Sequence, residues 1–203
     1  MKLPPLSRPH SRRGFTLIEL LVVIAIIALL VAGAYGAYGF VIEKAKRSDA
    51  QAACMAVYNA IDQYHTEYDY LPEPTSATKG TDCESDTTAE EGLVAILKGM
   101  NKEQNSKKMD YLGDIKDAKK ASGKLVSGLV RDAESIAFVD PWGYHYKVKL
   151  DLDLDGEMDN PNDEDAANGR AQIHKSAVVW SIGKDGDSKV WKDNAGSWEF
   201  STK

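Results

Sequence analysis

The sequence is short of the side chains that small catalytic and metal-stapled domains depend on. Its 203 residues include two cysteines, Cys54 and Cys83, too few and too far apart for a zinc ribbon or a thioredoxin-type pair. His65, His145 and His174 stand isolated, and neither G-x-S-x-G nor H-E-x-x-H occurs. With neither cysteine framed by a catalytic motif, an enzyme has little support and no catalytic residue is assigned. Disordered, collagen-like and disulfide-dense classes are excluded by composition. Acidic residues are absent ahead of Glu19, so Lys2, Arg8, Arg12 and Arg13 form an unopposed basic leader. Removing those four from the 25 basic side chains leaves 21 against 31 acidic ones, a formal charge of −10 for the remainder. A body that acidic repels phosphate backbones. Nucleic acid is therefore not the expected partner, whereas cations and basic surfaces are.

Against that background one long apolar run stands out. From Phe15 to Ala34, twenty residues carry a single charge, Glu19. At about 1.5 Å per residue they make roughly 30 Å of helix, the thickness of a bilayer's hydrocarbon core. The run is too long for a secretory signal peptide. The basic leader places the N-terminus in the cytoplasm, and everything beyond about residue 40 outside the membrane. A carboxylate in a spanning helix costs on the order of 2.5–3.5 kcal/mol and is a functional candidate by default. Two readings of Glu19 are open. It sits near the interface in the first helical turn, favoured by the macrodipole, or it pairs with the amine of Phe15 exposed by cleavage after Gly14, in its own or a neighbouring subunit.

The helical pattern continues past the membrane through Ala45, Ala52, Ala53, Ala56, Val57, Ala60, Ile61 and Tyr64, giving one helix from Phe15 to about Tyr68, roughly 80 Å long. Gly33, Gly36 and Gly39 beside Tyr35 and Tyr38 read as interfacial anchoring and close helix packing. Leu71-Pro72 ends the helix. A polar loop follows to about Thr87, and Thr88 to Leu97 reads as a short helix capped by Thr88 with Glu91 three residues on. Residues 98–128 are a Lys/Asp/Gly-rich excursion, helical or irregular. Asp140-Pro141-Trp142-Gly143 is a turn. Strands are expected at Tyr144–Leu150, Ala177–Ile182 and Ser197–Phe200. A long helix followed by gathered strands predicts an α+β fold, with a small antiparallel sheet packed on the outer half of the helix.

Eight of the fifteen residues from Asp151 to Asp165 are acidic. Asp151, Asp153, Asp155 and Asp159 fall at positions one, three, five and nine of a calcium loop, with Gly156 at six and the Glu157 carbonyl at seven. Asn162 replaces the bidentate glutamate at twelve, and Asp163 is a candidate substitute. The competing reading is a solvated charged face. Cys54 and Cys83 both fall outside the cytoplasm, which favours a disulfide between helix and loop. The alternative is one buried and one free thiol.

The segment Arg12-Arg13-Gly14-Phe15-Thr16-Leu17-Ile18-Glu19 with the apolar run behind it resembles the prepilin N-terminus of the type IV pilin and type II secretion pseudopilin superfamily. The resemblance implies a pilin-like fold, cleavage between Gly14 and Phe15 by prepilin peptidase, N-methylation of Phe15, and Glu19 as the residue that guides assembly. A tyrosine-rich helix end from Tyr64 to Pro72, a short helix from Glu91 to Leu97, and Asp140-Pro141-Trp142-Gly143 follow in an order similar to the major pseudopilin of type II secretion. Proline often stands in that family where this chain has Gly36. Ser181-Ile182-Gly183-Lys184-Asp185-Gly186-Asp187 resembles the family's S-x-G-x-D-G loop, which implies a calcium site. Its ligands would be Asp185, Asp193 and backbone carbonyls near Ser181 or Ile182, with Asp187 as an addition. Asn194 stands where a second acidic residue is usual. A glycine- and aspartate-rich hairpin turn is the other reading. The implied organisation is a leader at 1–14, a transmembrane assembly helix at 15–38, its outer half at 39–70, and a globular domain at 71–203 with an insertion at 98–128.

The same resemblance implies a filament subunit that exports protein mechanically from the bacterial inner membrane, with its C-terminal domain periplasmic. The implied partners are further copies of itself, other pseudopilins, prepilin peptidase and the inner-membrane secretion platform. The alternatives are a type IV pilin or minor pilin for adhesion or DNA uptake, and a monomeric membrane-anchored calcium-binding module.

Overall fold

A computed structural model of the chain describes residues 15–78, 80–113, 115–133, 135–162 and 166–198. Gly14, Asp163, Glu199 and Phe200 lie outside the described residues. Helix α1 runs over 52 residues, Leu17–Tyr68. Its C-terminus is set by Asp69, which turns left-handed at φ 61 while its N–H still reaches the His65 carbonyl at 2.8 Å. Leu71-Pro72 then prevents resumption.

The chain divides into two compact units, Met1–Glu43 and Lys44–Lys203, so the outer part of the helix belongs with the globular residues. In the first unit the apolar side chains are exposed all round the helix, Leu17 at 83%, Ile18 at 70% and Leu29 at 74%. No single described helix is by itself long and apolar enough to cross a membrane. Leu17–Gly33 and Tyr38–Tyr68 meet that requirement only as a pair, since seventeen residues reach only about 25 Å. In the second unit α1 carries a buried stripe, Ala50, Cys54, Val57, Ile61 and Tyr64, spaced by threes and fours as one helical face requires.

After α1 come β1 (Cys83–Asp86), α2 (Leu93–Leu97), β2 (Lys119–Ala121), β3 (Lys124–Val126), β4 (Gly128–Arg131), β5 (Ile136–Val139), β6 (Lys147–Leu150), β7 (Met158–Asp159), β8 (Gln172–Ile173), β9 (Ala177–Ser181) and β10 (Ala195–Gly196). Strands β1, β6, β9 and β10 form one antiparallel sheet in that order. The pairs β2–β3, β4–β5 and β7–β8 stand separately. The architecture is α+β, a long helix with small antiparallel sheets, consistent with a pilin-like fold.

Strand β9 is buried along its whole length, because both faces of the sheet are covered and side chains alternate between them. Ala177 and Val179 join Val148, Leu150 and the α1 stripe in the main core. Val178 and Trp180 point the other way, into a second cluster with Met158, Ile173, Trp191 and Trp198. Its three indoles pack with centroids 5.2–6.5 Å apart.

Three sequence expectations need correction. The helix expected from Thr88 begins only at Leu93, after Gly92 in the left-handed region with no side-chain cap. Glu91 does not cap it. Its carboxylate instead accepts the Ser76 N–H at 3.1 Å and the Ser85 hydroxyl at 3.0 Å. The expected third strand lies two residues early, at Ala195–Gly196. Cys54 and Cys83 are not bridged. Cys54 Sγ donates to the Ala195 carbonyl at 3.4 Å beneath β10, whereas Cys83 sits on β1 with its Sγ 3.5 Å from Ser76 Oγ. These strands are the opposite edges of a four-stranded sheet, about 14 Å apart at ~4.8 Å per strand, and a disulfide tolerates at most about 7 Å between Cα atoms. The 98–128 insertion is irregular and then a β2–β3 hairpin, with no helix assigned in its described residues. It docks on the end of α1 through buried Asn105, whose carboxamide accepts from the Tyr68 hydroxyl and donates to the Ile96 and Met109 carbonyls.

Candidate functional site

At the start of α1, Thr16 and Glu19 satisfy each other. Glu19 Oε2 accepts the Thr16 N–H at 2.8 Å and the Thr16 hydroxyl at 2.7 Å, while the Glu19 N–H donates to Thr16 Oγ1 at 3.3 Å. This is a reciprocal capping box, carried by the T-x-x-E spacing, and it gives Glu19 a role beside the macrodipole and the amine. The carboxylate is thereby held one residue from Phe15, whose side chain is 75% exposed.

The second location joins two turns. Asp140 is fully buried, and its Oδ1 accepts the N–H groups of Trp142 and Tyr144, each at 2.9 Å. Its Oδ2 accepts the Ser181 hydroxyl at 2.6 Å, and Ser181 Oγ in turn accepts the Gly183 N–H. Burial pushes the Asp140 carboxyl above its ordinary value, against the pull of these hydrogen bonds. Beyond Gly183, Asp193 Oδ2 accepts the N–H groups of Lys184 and Asp185 at 2.7 and 3.2 Å. A Cβ at Gly183 would lie 2.7 Å from Asp193 Cγ, at φ +69, so glycine is required for this approach.

The implied calcium ligands of this loop meet different fates. Asp185 and Asp187 each spend one carboxylate oxygen capping a backbone N–H, those of Asp187 and Lys189. They do not gather with Asp193 into a three-carboxylate cluster. Ser181 is committed through its side chain to Asp140, and Ile182 packs against the tryptophan cluster. On consecutive residues, Asp193 Oδ1 and Asn194 Oδ1 are both buried without a hydrogen-bond partner. Two orphaned hard oxygens fit calcium chemistry.

From Asp151 to Glu157 the loop closes on its own carboxylates, Gly156 N–H donating to Asp151 Oδ2 and Asp155 N–H to Asp153 Oδ1, and the residue expected at position nine does not join it. Asp155 Oδ1 accepts the Glu157 N–H. Asp159 lies in β7, exposed, and its carboxylate accepts the Gln172 side-chain amide at 2.8 Å, so it is drawn away from the first positions of the loop. Asp151 and Asp153 come together with Asp82, a residue outside the acidic motif. One carboxylate oxygen from each lies within 4.8 Å of the others, the only such trio among the described residues. Burial, and after it the neighbouring carboxylates, push the Asp82 and Asp151 carboxyls above their ordinary values, although Lys149 draws Asp82 down. No sequence signal announces Asp82, because the register that delivers it belongs to a strand pair distant in sequence, Cys83 standing opposite Leu150 among its rungs.

Residues 9–35 match the prokaryotic N-terminal methylation motif. The match covers the basic leader's end, the Gly14-Phe15 junction, Glu19 and the apolar run. It supports a type IV pilin-like protein that is processed by prepilin peptidase and held at the inner membrane by its N-terminal helix. No curated protein and no solved structure matches the chain.

Proposed function

We propose that the chain is a structural subunit of a type II secretion pseudopilus, whose work is mechanical rather than enzymatic. The observation that carries this reading is an N-terminal methylation motif on a helix whose apolar side chains are exposed on every face. Such a surface is covered by lipid before assembly and by the same helices of other subunits afterwards. In this reading the basic leader stays in the cytoplasm and the residues beyond the helix's apolar half are periplasmic. Cleavage at Gly14-Phe15 creates an amine one residue from the carboxylate that the Thr16 cap already orients. Glu19 then pairs with that amine in its own or an adjacent subunit and sets the register of packing. The bond between Asp140 of the D-P-W-G turn and Ser181 of the S-x-G-x-D-G loop favours a pseudopilin over an adhesive type IV pilin, because it ties together the two motifs that resemble the pseudopilins. Other pseudopilins and the inner-membrane secretion platform are the expected partners.

Calcium enters this reading at Asp193 Oδ1, with Asn194 Oδ1 of the next residue as a second candidate ligand. When bound there it would hold the loop closed against β9. A ligand that binds only the folded form at a hundredfold excess over Kd adds about 2.7 kcal/mol, so the melting temperature is expected to rise between chelator and millimolar calcium.

The decisive experiment is intact mass of the chain purified from membranes together with filament yield of Glu19→Val. The mass is expected to begin at methylated Phe15. Losing the carboxylate lowers the insertion cost, so the variant is expected to reach the membrane and be processed, yet give filaments reduced at least tenfold. Filaments at the unsubstituted yield would reject the pairing mechanism.

A further inference from the structure

We propose that Asp82, Asp151 and Asp153 form a divalent-cation site of the calcium class that closes the end of the β1–β6 ladder. The ladder pairs Cys83 with Leu150, so one step further along the antiparallel register Asp82 stands opposite Asp151. Like charges directly across a ladder oppose pairing, and this pair is not relieved by solvent, since Asp151 is only 3% exposed. Gly156, at φ +78, turns the chain back so that its N–H reaches Asp151 Oδ2 at 3.0 Å. Asp151 Oδ1 is left buried with no hydrogen-bond partner, and Asp82 Oδ1 is in the same condition. Asp153 adds the third carboxylate from the exposed side.

The spacing suits one ion. Oxygens bound to calcium at about 2.4 Å on opposite sides are about 4.8 Å apart, and the three carboxylate oxygens lie within 4.8 Å of one another. The charge suits it as well. Lys149 Nζ approaches the other oxygen of Asp82, Oδ2, at 3.6 Å and also donates to the Asp159 carbonyl at 3.3 Å. Three carboxylates and one ammonium leave a local charge of −2. Lys149 therefore balances part of the cluster without occupying the orphaned oxygens. Carboxylate-only donors select hard cations over zinc or copper, and a three-sided, partly open set favours calcium over magnesium, which demands tight octahedral geometry. Asp151 also lines a cleft of about 470 Å³ with His65, Leu154 and His174, which gives water a route to complete the shell.

This site is separate from the Asp193 loop and does not rest on the filament reading. The test is calorimetric titration of the full-length chain in detergent at pH 7.5, stripped with chelator and titrated with calcium chloride alone. The unsubstituted chain is expected to bind calcium at this site, D82N and D153N to lose that equivalent or bind it at least tenfold more weakly, and D193N to retain it. In chelator D82N is expected to melt no lower than the unsubstituted chain, because the substitution removes a repulsion, while its calcium-induced rise is reduced. D82N and D153N avoid dependence on D151N, whose buried position makes misfolding a competing cause. Unchanged calcium stoichiometry and affinity in D82N and D153N would overturn the site. So would the absence of any binding at millimolar calcium, which would leave a proton shared between Asp151 and Asp153 as the neutralising charge.

Discussion

The two parts of helix α1 have the same backbone and opposite surroundings. Between Leu17 and Val31 apolar residues occupy every face and are exposed, Val23 the least of the large ones at 45%. Between Ala50 and Tyr64 one stripe, Ala50, Cys54, Val57, Ile61 and Tyr64, is buried by the sheet's inner residues and α2, while Ala52 is exposed and Met55 and Ala56 half-buried. What differs is only the distribution of apolar side chains around the axis. A helix that is apolar all round has no preferred direction of packing and is suited to lipid or to copies of itself, whereas a striped helix must find one partner surface. Only the second segment therefore contributes to the stability of the globular unit.

Three experiments sharpen that contrast, taken from the largest expected effect to the smallest. Ile61→Ala removes a fully buried side chain of the stripe and is expected to lower the unfolding free energy by about 2–5 kcal/mol. Ile26→Ala, on the exposed segment, is expected to leave that free energy unchanged and to alter insertion by only about 0.5 kcal/mol. Denaturant unfolding followed by tryptophan fluorescence compares the two directly, since all four tryptophans lie beyond residue 140. Equal losses would mean that the exposed segment is also packed in the folded subunit.

Ser181→Ala removes the hydroxyl that donates to buried Asp140. The carboxylate keeps its turn N–H groups but loses its link to β9, with an expected cost of roughly 1–3 kcal/mol in the same assay. No change would show that the two turns are held together by their backbones alone.

The smallest effect is in pH dependence. Burial pushes the Glu91 carboxyl up, but the hydrogen bonds from Ser76 and Ser85 hold it below its ordinary value. Its contribution is thus present above the unfolded value of about 4.3 and lost as pH falls through the lower folded value. Asp140 works in the opposite sense. Its raised folded value favours the fold in acid, and that contribution is lost as pH rises through it. Glu91→Gln is expected to flatten the acid limb of the melting-temperature profile below about pH 4.3, and an unaltered limb would remove Glu91 from the account.

Much of the fold was legible because it follows from local rules. Leu71-Pro72 marks the helix end to within three residues, and the expected strands Tyr144–Leu150 and Ala177–Ile182 contain β6 and β9, although β6 begins only at Lys147, because proline geometry and strand propensity act within a few positions. The capping residues were less secure. Thr88 and Glu91 have the same T-x-x-E spacing as Thr16 and Glu19, yet only the latter pair closes on itself. Glu91 is taken by Ser76 and Ser85, partners brought to it by tertiary packing. The acidic loops show the same division. Their composition marks them as places where oxygen ligands concentrate, but which carboxylates converge depends on strand register, and it drew Asp159 into β7 and brought Asp82 beside Asp151.

By itself, the sequence determined the membrane-directed helix, its single carboxylate and the processing motif ahead of it, since charge, apolar length and a short contiguous pattern are properties of the chain before it folds. It also determined that strands would follow the helix and that aspartates would crowd their connecting turns. Only the tertiary structure decided that Cys54 and Cys83 stay apart, that Asp140 and Ser181 bind each other, and that Asp82 completes a trio with Asp151 and Asp153. Those outcomes depend on the order β1-β6-β9-β10 and its registers. That order is chosen by how two hydrophobic clusters cover the two faces of one sheet, a property of the packed chain that no local spacing encodes.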